Sequence, residues 1–401
     1  MMHKPDELDP LPIKRDCPFD PPPALARYRS EALLPEVKTP KGDKAWLVTR
    51  HEDAKAVLMD KRFSSSPLAP GYPSYISGSV SPPPGFFMQH DAPDHFRMRS
   101  LVIREFLNEH VQSLLPEMQR IVASAILEFK NLSQPADLIE HFAYPVASQI
   151  IGGLLGVPSN DSAFVQETTD RILDRVSSPE VAEENAFALM KFFAEIVAGK
   201  SASPANDLIS RLVQTVAVSH GASGEEIVGT TALLFLGGYD TMAQVIGLGA
   251  AALIRSPEQL AKFIDDEVSG AQMIDELVRY LSVNHAGLPR AALEDVIIGD
   301  TKIKRGDGVL VMINSANRDC AAFHEPDRLN AETPSRHHVG FGHGLHKCIG
   351  AHFARVELDL VFRSLFQEMP NLSLATSFED LDFRDDMVLY GARTLPVTWG
   401  N

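Results

Sequence analysis

One stretch limits this chain more than any other. Between about residues 228 and 254 it reads VGTTALLFLGGYDTMAQVIGLGAAALI, the longest apolar run in 401 residues. That is long enough to cross a bilayer. Asp240 and Gln244 stand near its middle, however, and a carboxylate at that depth in lipid costs about 3 kcal/mol or more. The run therefore reads as a long helix at the centre of a soluble protein, and such a helix needs partners on every side. The N-terminus, MMHKPDELDPLPIKRDCPFDPPP, is charged and rich in proline. It has no apolar core, so it reads as neither a signal peptide nor an anchor.

The partners are legible on both sides of the run. From about 94 to 285 apolar residues recur at three- and four-residue steps, as in LLPEMQRIVASAILEF and VASQIIGGLLGV, which predicts helix nearly throughout. Strand character appears in about 31–60, 290–315 and 370–401, and a loop-rich stretch follows 316. The expected class is mainly α with small β-sheets: a tail over 1–30, then a single large domain over 31–401. This is not the alternating rhythm of a doubly wound fold. Residues 64–88 are crowded with proline and glycine, and their Tyr72, Tyr75, Phe86 and Phe87 are candidates to line a pocket. Lys and Arg number 37 against 53 Asp and Glu, for a net charge of −16, which argues against nucleic acid and anionic membrane as partners. The three cysteines, Cys17, Cys320 and Cys348, show no CxxC spacing and are odd in number. They point to a reducing compartment rather than a disulfide framework.

The sharpest motif is Phe341-Gly-His-Gly-Leu-His-Lys-Cys348-Ile-Gly350. Gly342 and Gly344 permit a tight bend, and Cys348 follows at the start of a predicted helix, whose free N–H groups favour a thiolate. Gly350 leaves room for something flat. Thiolate is a strong donor to haem iron. Two other readings compete: a small core cysteine, and a zinc site using His337, His338, His343, His346 and Cys348.

The spacing F-x-x-G-x-H-x-C-x-G resembles the haem-ligating signature of the cytochrome P450 family. Gly237-Gly238-Tyr239-Asp240-Thr241 is similar to that family's distal-helix stretch, and the resemblance runs from about Trp46 to the C-terminus. It implies haem b with Cys348 as the axial ligand, and a loop shaped by Phe341, Gly342 and Gly350. Asp240 and Thr241 would deliver protons to bound dioxygen. His95, Arg99, Arg290 and His346 would hold the haem propionates. Glu276 and Arg279, in an E-x-x-R pattern on one helix face, would form a structural network with Arg328. Phe86, Phe87, Leu233, Gly237, Asn284, Leu288 and Val388 are the substrate-facing candidates.

The same resemblance implies a cytoplasmic, monomeric monooxygenase that hydroxylates or epoxidises a bulky, mainly apolar small molecule in bacterial secondary metabolism or catabolism. Electrons would come from a separate ferredoxin or flavodoxin with its reductase. Lys347, Arg97 and Arg104 are candidates for a basic docking island. An alternative is oxidative C–C or C–N coupling without oxygen insertion, and a minor one is the zinc protein. The GxGxxA match at Gly247–Ala252 has no preceding strand and reads as helix packing rather than a dinucleotide site.

Overall fold

The computed structural model describes residues 8–74, 82–158, 161–174, 177–216 and 221–400; Tyr75 lies outside them. Its α-helices, in chain order, are α1 Pro23–Ser30, α2 His51–Met59, α3 Asp94–Val102, α4 Asn108–Lys130, α5 Tyr144–Leu155, α6 Ser162–Leu173, α7 Pro179–Ala202, α8 Leu208–Arg211, α9 Gly224–Arg255, α10 Pro257–Ile264, α11 Gly270–Leu281, α12 Ile313–Ala316 and α13 Ala351–Glu368. The strands are β1 Asp9–Pro10, β2 Glu36–Lys38, β3 Lys44–Val48, β4 Phe63–Ser64, β5 Ala136–Asp137, β6 Leu288–Ala292, β7 Val296–Ile298, β8 Thr301–Ile303, β9 Gly308–Val311, β10 Ser373–Leu374 and β11 Pro396–Thr398.

The apolar run is α9. A capping box starts it: Ser223 Oγ accepts from Glu226 N at 3.1 Å, and the Glu226 carboxylate accepts from Ser223 N at 2.9 Å. Every residue from Met242 to Leu253 is buried. By length and composition α9 could span a membrane, yet 78% of its apolar window is buried within the protein. Helices α5, α7 and α13 pack around it. The GxGxxA match serves that packing. A Cβ on Gly247 would lie 2.1 Å from Ile139, and one on Gly249 would lie 2.4 Å from the ring of Phe362 on α13.

A six-stranded sheet, ordered β1-β2-β3-β9-β6-β4, flanks the helical body. Strands β3 and β9 run parallel, from Ala45↔Gly308 to Val48↔Val311, and β6 is antiparallel to β9 from Leu288↔Val311 to Ala291↔Gly308. That register places Leu288 and Arg290 within a strand. A three-stranded sheet β10-β11-β5 and the β7–β8 pair complete the β structure.

The expected tail over 1–30 requires correction for its described part. Strand β1 pairs with β2 at Asp9↔Val37, and Leu11, Phe19, Leu25 and Tyr28 are buried. The fully buried Arg318 donates to Phe19 O at 2.7 Å and to Asp20 at 3.2 Å. Scattered charges and prolines masked four well-spaced apolar anchors.

The packing of α9 yields a contrast. Gly249→Ala should destabilise the protein by about 1–3 kcal/mol, because the ring of Phe362 must move. Gly237→Ala, where a Cβ meets nothing within 4 Å, should be neutral or gain up to about 1 kcal/mol of helix propensity. Thermal melts of the two variants decide it, and equal melting temperatures would contradict the packing role.

Candidate active site around Cys348 and Asp240

The cysteine loop is bent by two glycines. Gly342 and Gly344 both have φ of +69°, the left-handed region that side chains resist. A Cβ on Gly344 would also lie 2.3 Å from Leu58 O. Cys348 N donates to Phe341 O at 2.8 Å, which closes the loop. Helix α13 begins at Ala351 with Gly350 as its N-cap residue, so Cys348 stands in the bend before the helix rather than in its first turn. Its side chain is exposed. Desolvation by the surrounding loop still pushes the thiol up, while the Gly350 N–H, Arg99, Arg355 and Lys347 pull the other way. The nearest atoms to a Cβ on Gly350 would be Phe106 at 3.9 Å and Cys348 Sγ at 4.0 Å, ordinary contact distances, so a Cβ there would just touch the sulfur.

Beside the thiol lies a cationic cradle. The His95 and His346 rings are 4.1 Å apart. Both ring nitrogens of His95 and Nδ1 of His346 are buried without a hydrogen-bond partner. Orphaned polar atoms of this kind cost about 1–3 kcal/mol each. Desolvation, then Arg290, His95 and Arg99, push the His346 imidazole down to about 3. Arg99 donates to Lys347 O at 2.7 Å, and the buried Arg290 donates to Pro289 O at 2.7 Å. Asp91, the carboxylate acting on His95, is already held by the Ser64 hydroxyl and by Ser65 N. Unsatisfied buried nitrogens flanked by two guanidinium groups, next to an exposed thiol, fit a haem whose propionates would complete them.

On α9 the two central residues diverge. Thr241 Oγ1 donates to Gly237 O at 2.6 Å on a partly exposed face. Asp240 points into the core, where it accepts from Tyr144 Oη at 2.8 Å, Gln244 Nε2 at 3.1 Å and Arg384 Nη1 at 2.8 Å. Arg384 also donates to Asp170 at the C-terminal end of α6, at 2.8 Å. Burial works against the Arg384 charge, but Asp240, Tyr144 and Asp170 outweigh it and hold the guanidinium above its ordinary value. Burial, then Asp240, pushes the Tyr144 phenol well up, so it stays a donor. The sequence marks Gln244 as a polar residue within the apolar run, but Tyr144, Arg384 and Asp170 have no signal there. Arg384 looks like part of a surface cluster because Asp385 and Asp386 follow it.

Three sequence expectations change. Glu276 and Arg279 do form a fully buried ion pair at 2.7 Å. Arg328 does not join it, since its side chain is 74% exposed and stands 3.5 Å from Glu325. Backbone takes the third place: Arg279 donates to the carbonyls of Asn317, Pro326 and Arg328, and Glu276 accepts from Asn330 N at 2.8 Å. Arg97 is diverted from the basic island to an ion pair with Glu226, leaving Arg104 and Lys347 exposed. The zinc set is dispersed. His337 stacks on Phe323, His338 turns inward to Asp275, and among the described residues no group of three or more His, Cys, Asp or Glu side chains could hold a metal ion.

The substrate-facing candidates fall in three places. Phe86 and Phe87 are in the loop whose Gly85 O accepts from Thr230 of α9, near the buried Leu233 and the exposed Gly237. Asn284 pairs with Leu389 in an isolated bridge, and Leu288 opens β6. Val388 N donates to Leu173 O, which joins the C-terminal loop to α6. A surface cleft of about 360 Å³, lined by Trp46, Tyr72 and Asp307 among others, lies where β3 and β9 begin and contains none of these seven substrate-facing candidates.

A family model described as Cytochrome P450 matches residues 271–381. The chain is 36% identical over 401 residues to Cytochrome P450-SU2 of Streptomyces griseolus, covering 98% of each chain. It superposes on cytochrome P450 MoxA from Nonomuraea recticatena with a TM-score of 0.89 at 36% identity, covering 98% of both. On a mycinamicin VIII methyl hydroxylase from Micromonospora griseorubida the TM-score is 0.92 at 31% identity, covering 98% of this chain and all of that one at 100%. Fold and cysteine loop together define a haem-thiolate oxidoreductase. The chain belongs to the cytochrome P450 family, and it is a monooxygenase.

Burial pushes the Asp170 carboxyl up to about 6, against the pull of Arg384. Between its ordinary 3.8 and about 6 the folded protein keeps this proton and the unfolded chain does not. The resulting stability is full at the acid end and is lost as pH rises through about 6. Asp170 is 43% exposed, so screening keeps the effect small. Asp170→Asn should flatten the melting temperature against pH across this window, and superimposable profiles for variant and parent would refute the assignment.

Proposed function

We propose that this enzyme inserts one atom of dioxygen into a bulky, mainly apolar small molecule of bacterial secondary metabolism. In this reading it works as a cytoplasmic monomer fed by a separate ferredoxin or flavodoxin and its reductase. The observation that carries the reading is the coexistence, in one fold, of the glycine-bent Cys348 loop and the Asp240–Thr241 pair on α9.

Cys348 would hold the haem iron through its thiolate, with Phe341, Gly342 and Gly350 shaping the loop around it. His95, Arg99, Arg290 and His346 would receive the propionates. When bound, the haem supplies dioxygen activation and an oxidant able to attack a C–H or C=C bond. The chain's own residues supply the protons. Thr241 holds a hydroxyl proton at Oγ1 on the partly exposed face of α9. Asp170, Arg384 and Asp240 form a continuous charged path from the half-exposed surface to the residue beside Thr241. Tyr144 and Gln244 keep Asp240 oriented.

Phe86, Phe87, Leu233, Gly237, Leu288 and Val388 would present an apolar surface to the substrate, and Asn284 one polar group. Similar solved structures hold filipin I and mycinamicin VIII, which supports a bulky occupant. Lys347 and Arg104 offer an exposed basic island for an acidic electron donor.

Two measurements test the reading. Reduced, CO-bound enzyme should show the long-wavelength Soret band of thiolate ligation, and Cys348→Ala should lose it; a retained band removes Cys348 as ligand. Thr241→Ala should cut product formed per electron pair by about tenfold or more, with peroxide rising to match. Unchanged coupling would remove Thr241 from proton delivery.

A further inference from the structure

The two ends of the cysteine loop converge on a buried carboxylate that the preceding assignments leave unused. Asp275 lies on α11 directly before Glu276 and is 1% exposed. Its Oδ1 accepts from Arg355 Nε at 2.6 Å and stands 3.3 Å from His338 Nε2. His338 precedes Phe341 by three residues, and Arg355 sits on α13 just beyond Gly350, so one oxygen ties the loop at entry and exit. His338 Nδ1 accepts from Gly340 N at 3.0 Å. In a neutral ring that leaves the proton on Nε2, aimed at Asp275. Asp275 Oδ2 receives no hydrogen bond, and the exposed Arg336 stands 3.7 Å from it. Burial alone would raise the Asp275 carboxyl, but the bonds from His338 and Arg355 outweigh it and hold it below its ordinary value.

Arg355 has a second contact. Its guanidinium carbon lies 4.5 Å over the Phe341 ring, a cation–π geometry, and Nη1 donates to Ala351 O at 3.0 Å. Phe341 is the residue whose carbonyl receives Cys348 N. A positive charge is therefore wedged between a buried carboxylate and the aromatic whose carbonyl closes the loop on Cys348 N.

We infer that Asp275, His338 and Arg355 are positioning residues for the thiolate. Asp275 pins both ends of the loop, and the Asp275–Arg355 charge balance sets how much electron density Cys348 gives to the iron. This rests on Cys348 being the axial ligand, and it assigns to three further side chains the tuning of that ligand. Groups just outside a metal's ligands act in this way by orienting them and adjusting their basicity.

The test uses purified holoenzyme without substrate. Two quantities are read for each variant: the haem reduction potential, and the rate at which the reduced CO complex loses its long-wavelength Soret band. R355M removes the cation, so the potential should move negative. D275N leaves the cation unbalanced, so the potential should move positive. Both should lose the band about 10-fold faster than the parent. R355K, which keeps the charge but loses the planar fork, should hold the potential near that of the parent and still lose the band faster. Shifts of the same sign in R355M and D275N, or none in either, overturn the charge-balance role. If either variant fails to retain haem, R355K and D275E carry the test, and parental band lifetimes in both overturn the anchoring role. Failure of the axial-ligand reading looks different, because the parent itself would then lack the long-wavelength band.

Discussion

A carboxylate in the middle of an apolar helix demands a counter-charge, and much of this molecule is arranged around meeting that demand. Asp240 is 1% exposed, and an unpaired ion at such a site would cost several kcal/mol. Arg384 meets it from the C-terminal loop, Tyr144 from α5 and Gln244 from one turn further along α9. Removing one partner of such a pair typically costs about 3–5 kcal/mol. The pair therefore fastens together the central helix, the helix beneath it and the last segment of the chain. Through Asp170 it also fastens α6.

Helix α11 plays the corresponding part on the thiolate side. Two adjacent carboxylates divide the work. Glu276 pairs with Arg279 and fixes the backbone at Asn317, Pro326, Arg328 and Asn330. Asp275 turns the other way and meets both arms of the cysteine loop. The loop itself is closed by three backbone bonds, Gly342 N to Val339 O, Lys347 N to Gly344 O and Cys348 N to Phe341 O, and is bent through two left-handed glycines. Its two ends are held in addition from outside, by a helix that carries two buried carboxylates.

What could be read in advance was local. The Cys348 bend shows itself in glycine spacing, α9 in its apolar length, and the Glu276–Arg279 pair in a one-turn offset. His95 and Arg99 are likewise one turn apart. Partners that meet only through tertiary structure left no trace. Nothing near Arg384 marks it as the counter-ion of Asp240, and its acidic neighbours suggest a solvated turn. Arg328 misled for a related reason: sequence position brought it to the right place, but its carbonyl, not its guanidinium, makes the contact. Arg97 sits beside the cationic cradle in sequence, yet its i,i+2 offset from Arg99 turns it toward Glu226. Residues 8–30 looked like a tail because composition outweighed the few apolar anchors that fold them onto the sheet.

The distance along the chain between Asp240 and Arg384 bears on how the protein is made. The two are separated by 144 positions, and Arg384 is made after every other residue of the Asp240 network. Until then α9 is present with its central carboxylate lacking its main partner, so the helix cannot settle into a dry core. Cys348 and its loop emerge before that arginine does. During synthesis the Cys348 side can therefore organise while the face of α9 that carries Asp240 is still wet, and the core around α9 closes only once Arg384 has emerged.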